Sequence, residues 1–207
     1  MIAWTIESNP FTVPSGRIDI YHSLQRIEPG GSVAAHTHAG PESGVVVSGT
    51  LARFEDGETR AYSAGERFLT RAGIVHTSGN SRDVPAEAFT LHIVTAGSPF
   101  STPCECVGAP KAAPGSTNPT RSIFRDLPPL AMPRVAEHAL HRVETSEHIE
   151  FRAPTLLLVT CLEGTLVVND TTLSPAGCAI FSDPLSVVLA SAEQPARALL
   201  AHIAAHG

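Results

Sequence analysis

The sequence predicts an all-β protein made of two similar halves. Of its 207 residues, 43% are hydrophobic and only 16% are charged, and there are 17 prolines and 16 glycines. This composition is typical of many short strands joined by turns rather than of long helices. A stretch dense in Pro, Gly, Ser and Ala over residues 96–120 shows no hydrophobic periodicity and separates the halves.

Three blocks of sequence recur in the same order on either side of that stretch. They pair VSGTL at 47–51 with LEGTL at 162–166, SAG at 63–65 with PAG at 175–177, and PAEAFTLHI at 85–93 with PARALLAHI at 195–203. The spacing between blocks differs only by loop-sized amounts. We therefore expect one domain that has been duplicated.

Charge and hydropathy argue against two classes of partner. The net charge is −6 and no Lys/Arg cluster is present, so neither nucleic acid nor an anionic membrane surface is expected. The longest apolar runs, such as residues 156–159, are far too short to cross a bilayer. The N-terminus has no basic segment and reaches Glu7 before any long apolar run, so no signal peptide is expected. The sequence thus predicts a cytoplasmic protein, a monomer or a homodimer.

One segment concentrates side chains that bind metals. His36 and His38 are two residues apart in a predicted strand, so both project to one side. Gly40-Pro41 then turns the chain, and Glu42 begins the next strand. His76 is a fourth candidate farther along. Three neutral imidazoles and one carboxylate that converge on one point suit a divalent transition metal.

The spacing of these residues resembles the two signature motifs of the cupin superfamily. The first motif is Gly, five residues, His-x-His, three or four residues, Glu, six residues, Gly; it is matched by Gly30, His36, His38, Glu42 and Gly49. The second motif is Gly, five residues, Pro-x-Gly, two residues, His, three residues, Asn; it is matched by Gly65, Gly73, His76 and Asn80, with Arg71 at the proline position. The proline position belongs to a turn, so this departure leaves the four implied metal ligands in place.

The resemblance implies two jelly-roll-like antiparallel β-barrels in tandem. We expect a metal-binding cupin barrel over residues 1–100, a Pro/Gly-rich linker over 101–120, and a second, degenerate barrel over 121–207. Counting from the matched glycines, the ligand positions become apolar in the second half: Phe151, Ala153, Leu157 and Val188. A lumen lined in this way has no affinity for a cation, so one metal per chain is expected.

The ligand set has a simpler interpretation, as polar residues on a solvated strand face. Against this, the four side chains occupy all four ligand positions of the motif within otherwise apolar strands. Their burial without a partner would cost several kcal/mol, and a bound cation would remove that cost.

The implied cofactor is one divalent transition metal: Fe, Mn, Ni, Zn, Cu or Co. Held by His36, His38, Glu42 and His76, it would carry a net charge of about +1 and act as a Lewis acid, or hold substrate beside O₂. Glu42 is the candidate proton acceptor. The sequence predicts a metal-dependent enzyme acting on a small oxygenated organic molecule, by oxygenation or by isomerisation or elimination. The alternative is a non-catalytic protein that binds a metal or a small molecule.

For three further residues near the predicted site, a structural role competes with a functional one. His92 has a counterpart, His202, in the half without ligands, which favours packing over catalysis. Arg53 and Tyr62 flank a predicted hairpin with Gly57 in its turn, and either side chain can face the pocket.

The remaining histidines and the cysteines are expected to have no part in the site. Surface histidines are a simpler interpretation than an accessory metal site, and inert thiols a simpler one than a second metal or redox site. The residues concerned are His138, His141, His148, Cys104, Cys106, Cys161 and Cys178.

Overall fold

The structure is a computed structural model, and it describes residues 5–6, 13–105, 111–129, 134–150, 155–182, 186–192 and 194–205. All elements of regular secondary structure within these ranges are β-strands, which confirms the all-β prediction. The described residues contain no helix long and apolar enough to cross a membrane. Four residues named above, Glu7, Cys106, Phe151 and Ala153, lie outside the described ranges.

The chain forms two compact units. The N-terminal unit is Thr12–Leu130, and the C-terminal unit combines Met1–Phe11 with Ala131–Gly207. The predicted boundaries were 1–100, 101–120 and 121–207. The N-terminal unit begins later than the predicted first barrel, at residue 12, and ends later, at residue 130.

The described part of the N-terminal unit contains ten strands in two antiparallel sheets. The strands are β2 (Ile18–Ile27), β3 (His36–Thr37), β4 (Glu42–Ser48), β5 (Thr50–Glu55), β6 (Glu58–Ser63), β7 (Arg67–Thr70), β8 (His76–Gly79), β9 (Ala86–Thr95), β10 (Thr102–Pro103) and β11 (Ser116–Leu127). One sheet has the order β11-β2-β9-β4-β7 and the other the order β10-β3-β8-β5-β6. Alternate residues of these strands face inward. They form a core of Ile27, Val46, Leu51, Phe68, Ala86 and Ala88.

The C-terminal unit repeats this arrangement. Its described strands are β1 (Thr5–Ile6), β12 (Arg134–Val143), β13 (Ser146–Glu150), β14 (Thr155–Glu163), β15 (Leu166–Val168), β16 (Thr171–Leu173), β17 (Cys178–Ser182), β18 (Ser186–Ser191) and β19 (Ala196–Ala205). The order β12-β19-β14-β17 repeats β2-β9-β4-β7, and β13-β18-β15-β16 repeats β3-β8-β5-β6. Two jelly-roll barrels in tandem are thus present, and their common strand order supports the inferred duplication.

The segment predicted to be a linker belongs to the N-terminal unit. β10 lies within it, and β11 begins at Ser116 and runs antiparallel to β2 as far as Leu127. The outer edge of β2 would otherwise expose unpaired N–H and C=O groups, and β11 satisfies them. Residues 121–127, assigned from sequence to the second barrel, are therefore part of the first. The Pro- and Ser-rich composition concealed this edge strand.

The register of the strands shows which residues replace the predicted ligands in the second unit. Glu42 lies opposite His92, and Leu157 lies opposite His202, so Leu157 is the counterpart of Glu42 as predicted. The interior of the C-terminal unit is filled by buried side chains, among them Leu157, Val159, Leu166, Val187 and Leu189.

Two other counterparts differ from those obtained by counting. Val168 corresponds to Arg53, counted from the matched glycines. Arg53 lies opposite Ser78 and Val168 lies opposite Leu189, so Leu189 corresponds to Ser78. Two residues earlier on the same strands, Val187 therefore corresponds to His76, the place that counting gave to Val188. Val187 is fully buried, whereas Val188 is 40% exposed. The segment between Gly177 and β18 is one residue shorter than its equivalent, which shifts the count.

The counterpart of His36 differs as well, because the segment that precedes Gly164 is two residues longer than the one that precedes Gly49. His36 lies opposite His76, and Ile149 lies opposite Val187, so Ile149 takes the position assigned to Phe151. The substitutions at the described counterparts remain apolar, as the sequence predicted.

Replacement of Gly49 should destabilise the N-terminal unit more than replacement of Gly57. Both have positive φ, +70° and +84°, where a Cβ atom costs about 1–2 kcal/mol. A Cβ on Gly49 would also lie 2.3 Å from the Pro85 carbonyl oxygen, whereas one on Gly57 meets nothing within 4 Å. In urea unfolding we expect Gly57→Ala to lose about 1–2 kcal/mol and Gly49→Ala roughly twice that or more. Equal losses would contradict the contact at Pro85.

Candidate metal centre

The four predicted side chains meet in one cavity of about 290 Å³ in the N-terminal unit. His36 and His76 begin β3 and β8 and lie directly opposite each other. The ring of His36 is centred 4.8 Å from that of His38 and 4.4 Å from that of His76. Glu42, the first residue of β4, reaches the same point from the facing sheet, with Oε2 3.1 Å from His76 Nε2. The turn at Gly40-Pro41 and the short strand β3 therefore bring the four groups together.

Each of the three imidazoles is oriented by a backbone carbonyl. Nδ1 donates to Ala34 O at 2.8 Å in His36, to Phe100 O at 2.6 Å in His38, and to Ile74 O at 3.0 Å in His76. A carbonyl oxygen only accepts hydrogen bonds, so the ring proton sits on Nδ1 and Nε2 carries a free lone pair. Nε2 of His38 and Nε2 of His76 are buried without a hydrogen-bond partner among the described residues.

Burial also favours the neutral form of two of these rings. Desolvation lowers the pKa of His38 to about 3, with a further contribution from His92. Desolvation likewise lowers the pKa of His36. A metal ligand must be an unprotonated imidazole, so the cavity holds His36 and His38 in the form that binds a cation.

The donor set fits a transition metal. The ligand atoms of His36, His38 and His76 lie within 4.8 Å of one another, and those of His38, Glu42 and His92 form a second, overlapping group. With the proton of His76 on Nδ1, the 3.1 Å contact between its Nε2 and Glu42 Oε2 joins two lone pairs. Such a contact is repulsive unless a metal ion or a second ring proton lies between the atoms. Nitrogen donors with one carboxylate admit several first-row metals.

Glu42 is bound by a buried arginine that the sequence did not assign to the site. Arg53 Nη2 lies 2.7 Å from Oε2 and Nη1 lies 3.4 Å from Oε1. Burial alone would raise the pKa of Glu42, but Arg53 and the neighbouring histidines His76 and His92 together outweigh it, and the pKa lies well below its usual value. Since the charges of the pair cancel, a bound divalent metal would keep a local charge nearer +2 than the +1 expected from sequence.

The position of Arg53 is fixed on several sides. Its guanidinium also donates to Ser78 Oγ at 3.2 Å and to Thr70 Oγ1 at 2.9 Å, and it lies 4.0 Å from the centre of the Phe68 ring. That ring lies against Gly44, where a Cβ would come within 2.1 Å of it. The guanidinium of Arg53 therefore has a fixed position on the inward face of β5, where it lines the cavity.

Tyr62, the other residue that the sequence left open, does not line the cavity. Its ring packs 5.7 Å from Phe68 and joins the apolar core. Arg71, at the proline position of the second motif, is exposed. The turn that contains it is closed by Gly73 N, which donates to His38 O at 2.9 Å. The turn thus forms without the proline.

His92 lies inside the site, although its match with His202 in the second half of the chain favoured a packing role. Its ring is centred 4.2 Å from that of His38, and Nε2 lies 3.5 Å from Glu42 Oε1. His202 lies opposite Leu157 instead, so the two histidines share a place in the fold but not an environment. The register of β9 against β4 would have revealed this, because it pairs His92 with Glu42.

Phe100, from the Pro-, Gly- and Ser-rich stretch over residues 96–120, closes one side of the cavity. Its ring is centred 5.2 Å from that of His38 and 4.7 Å from that of His92. Polar residues that sequence analysis did not select also line the cavity: Gln25, Ser78, Thr90, Ser101, Ser116, Asn118 and Arg121.

Of the histidines and thiols that the sequence does not assign to the site, His141, His148 and Cys161 do not line the cavity. His141 Nε2 is 2.8 Å from Glu147 Oε1, and His148 is exposed. Cys161 is buried, and burial raises the pKa of its thiol. Within the described ranges, groups of three metal-binding side chains occur only in the cavity.

Comparison with known proteins agrees with the motifs. Residues 23–94 match the family model described as the cupin domain. None of the curated proteins matches the chain.

Solved structures share the fold at low sequence identity. Oxalate decarboxylase from B. subtilis has a TM-score of 0.63 and 9% identity, covering 96% of this chain and 76% of that one. YhaK from Escherichia coli has a TM-score of 0.57 and 17% identity, covering 96% and 92%. The pirin YhhW from Escherichia coli, in complex with nickel(II), has a TM-score of 0.56 and 13% identity, covering 100% of both chains. At these identities the likeness shows the fold alone.

The metal-free protein should lose stability as the pH falls from about 6.5 toward 4. His22 is buried and desolvation lowers its pKa from 6.5 to about 4, so the unfolded chain binds a proton that the folded chain excludes. Stability therefore rises with pH across this window, by roughly 3 kcal/mol for this group. Urea unfolding against pH should show a flatter curve for His22→Gln, with exposed His148→Gln as the control. Identical curves for His22→Gln and the unmodified protein would contradict the burial effect.

Removal of Arg53 should strongly destabilise the metal-free protein. Arg53→Met leaves the Glu42 carboxylate buried without its counter-ion, which costs about 3–5 kcal/mol. Glu42→Gln combined with Arg53→Met should recover much of that loss in a double-mutant cycle measured by urea unfolding. Arg60→Met, at an exposed arginine stacked 4.8 Å from Tyr62, should change stability little. Additive losses at Glu42 and Arg53 would show that the pair is not coupled.

Proposed function

This chain carries a cupin domain, and from that premise we propose that its N-terminal unit is a metal-dependent enzyme acting on a small oxygenated organic molecule. The supporting observation is the set of three Nδ1–H hydrogen bonds to backbone carbonyls. They leave three Nε2 lone pairs on one side of a cavity of about 290 Å³. Such a cavity is at the small end of the usual range for ligand sites.

His36, His38 and His76 would hold one divalent transition metal, with Glu42 as the oxygen donor beside His76. When bound, such a metal supplies Lewis acidity toward a substrate oxygen, or a place where substrate and O₂ lie side by side. The reaction class is therefore oxygenation, isomerisation or elimination. Fe, Mn, Ni, Zn, Cu and Co all suit this donor set, and one structural neighbour was solved with nickel.

The residues around this point would prepare the substrate for reaction. Glu42 is ionised and would accept a substrate proton, with His92 Nε2 3.5 Å from its other oxygen. Arg53 holds the carboxylate in place but lowers its pKa, which makes Glu42 a weaker base than an unpaired carboxylate. Phe100 covers the rings of His38 and His92 and limits the access of water to them.

The weakened base favours one alternative, a non-catalytic protein that binds a metal and a small molecule. In that case the Arg53–Glu42 pair would organise the cavity and no substrate would be consumed. Oxygen uptake and product analysis across diketones, flavonols and sugar acids separates the two. Thermal stabilisation by a compound that is not consumed would favour the binding protein.

The metal site can be tested without knowledge of the substrate. We expect about one bound metal per chain by elemental analysis. Ni²⁺ or Co²⁺ titrated into metal-free protein should bind at least a hundredfold more weakly to His36→Ala/His76→Ala, because two of the three imidazoles are lost. His148→Ala, an exposed histidine of the C-terminal unit, is the matched control and should bind like the unmodified protein. Unchanged metal affinity in the double variant would rule out the site.

A further inference from the structure

Arg121 is a cation at the cavity without a carboxylate partner among the described residues. It lies on β11, is exposed and lines the cavity. Its guanidinium is 4.3 Å from the centre of the Phe100 ring, which covers His38 and His92. The aromatic platform restricts where the guanidinium can lie, so its donors are partly ordered before any ligand arrives.

The other ionised groups of the cavity do not neutralise this charge. Arg53 and Glu42 form a close buried pair whose charges cancel. The cavity therefore carries an uncompensated positive charge at Arg121, to which a bound divalent metal would add. An anionic ligand would balance the charge of Arg121 and that of a bound metal.

A polar acceptor near this cation is also without a partner. Oε1 of Gln25 is buried and has no hydrogen-bond partner among the described residues, and Gln25 lines the same cavity. Arg121 lies opposite Ser23 on β2, and Gln25 follows Ser23 by two residues on the same face of that strand. A buried acceptor of this kind calls for a ligand that donates a hydrogen bond.

We infer that the cavity binds a small organic carboxylate with a neighbouring hydroxyl group, a hydroxy acid or its enol equivalent. The carboxylate would accept a bidentate pair of hydrogen bonds from Arg121, and the hydroxyl would donate to Gln25 Oε1. This inference rests on the proposed function only in placing the remaining ligand oxygen toward the histidine cluster. Arg121 is then the residue that selects for the anion.

Matched acids and amides test this selection. Lactate with lactamide, and mandelate with mandelamide, differ in charge but hardly in size; their affinities are measured by calorimetry on the full chain, with and without Ni²⁺. The unmodified protein should prefer each acid by at least tenfold. Arg121→Gln should reduce that preference about tenfold in both conditions, because the charge-assisted hydrogen bonds are lost. Arg60→Gln, which removes an exposed arginine stacked on an aromatic ring outside the cavity, should keep it.

The outcomes separate this inference from the proposed metal site. Arg121→Gln should bind Ni²⁺ as the unmodified protein does, since Arg121 is not among the candidate donors. Failure to bind any of the four probes, equal affinity for acid and amide, or a preference that survives Arg121→Gln would each overturn the inference and leave the metal result standing. Loss of Ni²⁺ binding in the unmodified protein would instead refute the metal site, while the preference without metal would still test Arg121.

Discussion

The candidate site depends on three hydrogen bonds from imidazole Nδ1 to backbone carbonyls. Without them each ring could rotate or change tautomer, and the lone pairs on Nε2 would not point to a common region. The acceptors are Ala34, Ile74 and Phe100, all outside regular strands. The turns of the barrel are therefore as much a part of the site as the strands that carry the histidines. In metalloproteins, a hydrogen bond from the other ring nitrogen of a ligating histidine fixes the tautomer and orientation of the ring.

The pair of Arg53 and Glu42 changes the electrostatics that the ligand set alone suggests. A carboxylate among histidines would reduce the charge of a bound cation, but here a guanidinium already balances it at 2.7 Å. The pair is almost completely buried, so its two members must be retained or lost together. Phe68 and Gly44 extend this dependence, because the ring that supports Arg53 occupies the space a side chain at Gly44 would need.

Fixed spacing made part of this site predictable from sequence. His36, His38, Glu42 and His76 belong to motifs that set their places on neighbouring strands, and the structure brings them together. Sequence analysis names Arg53 and His92 but does not assign them to the site. The face on which a strand residue lies depends on register, and register follows from pairings between distant segments. Phe100, Gln25 and Arg121 gave no signal at all. Two of them lie in or just beyond a segment whose composition resembles a linker, and its pairing with β2 is a tertiary effect.

The apolar counterparts show the same limit on a smaller scale. Counting from glycines gave the right residue at Leu157, but it failed by one position at Val187 because one loop is a residue shorter. In a strand a single-residue error exchanges the inner and outer faces. The chemical conclusion survived only because Val187 and Val188 are the same residue type.

The position of β11 has a consequence for how such a protein can diversify. The three candidate metal-binding histidines lie on β3 and β8 or beside β3, whereas Ser116, Asn118 and Arg121 reach the cavity from a strand at the border of the opposite sheet. A border strand tolerates exchange of its outward and rim side chains more readily than a central one. Substitutions on β11 could therefore change which ligand the cavity selects, while the histidines that would hold the metal remain unchanged through evolution.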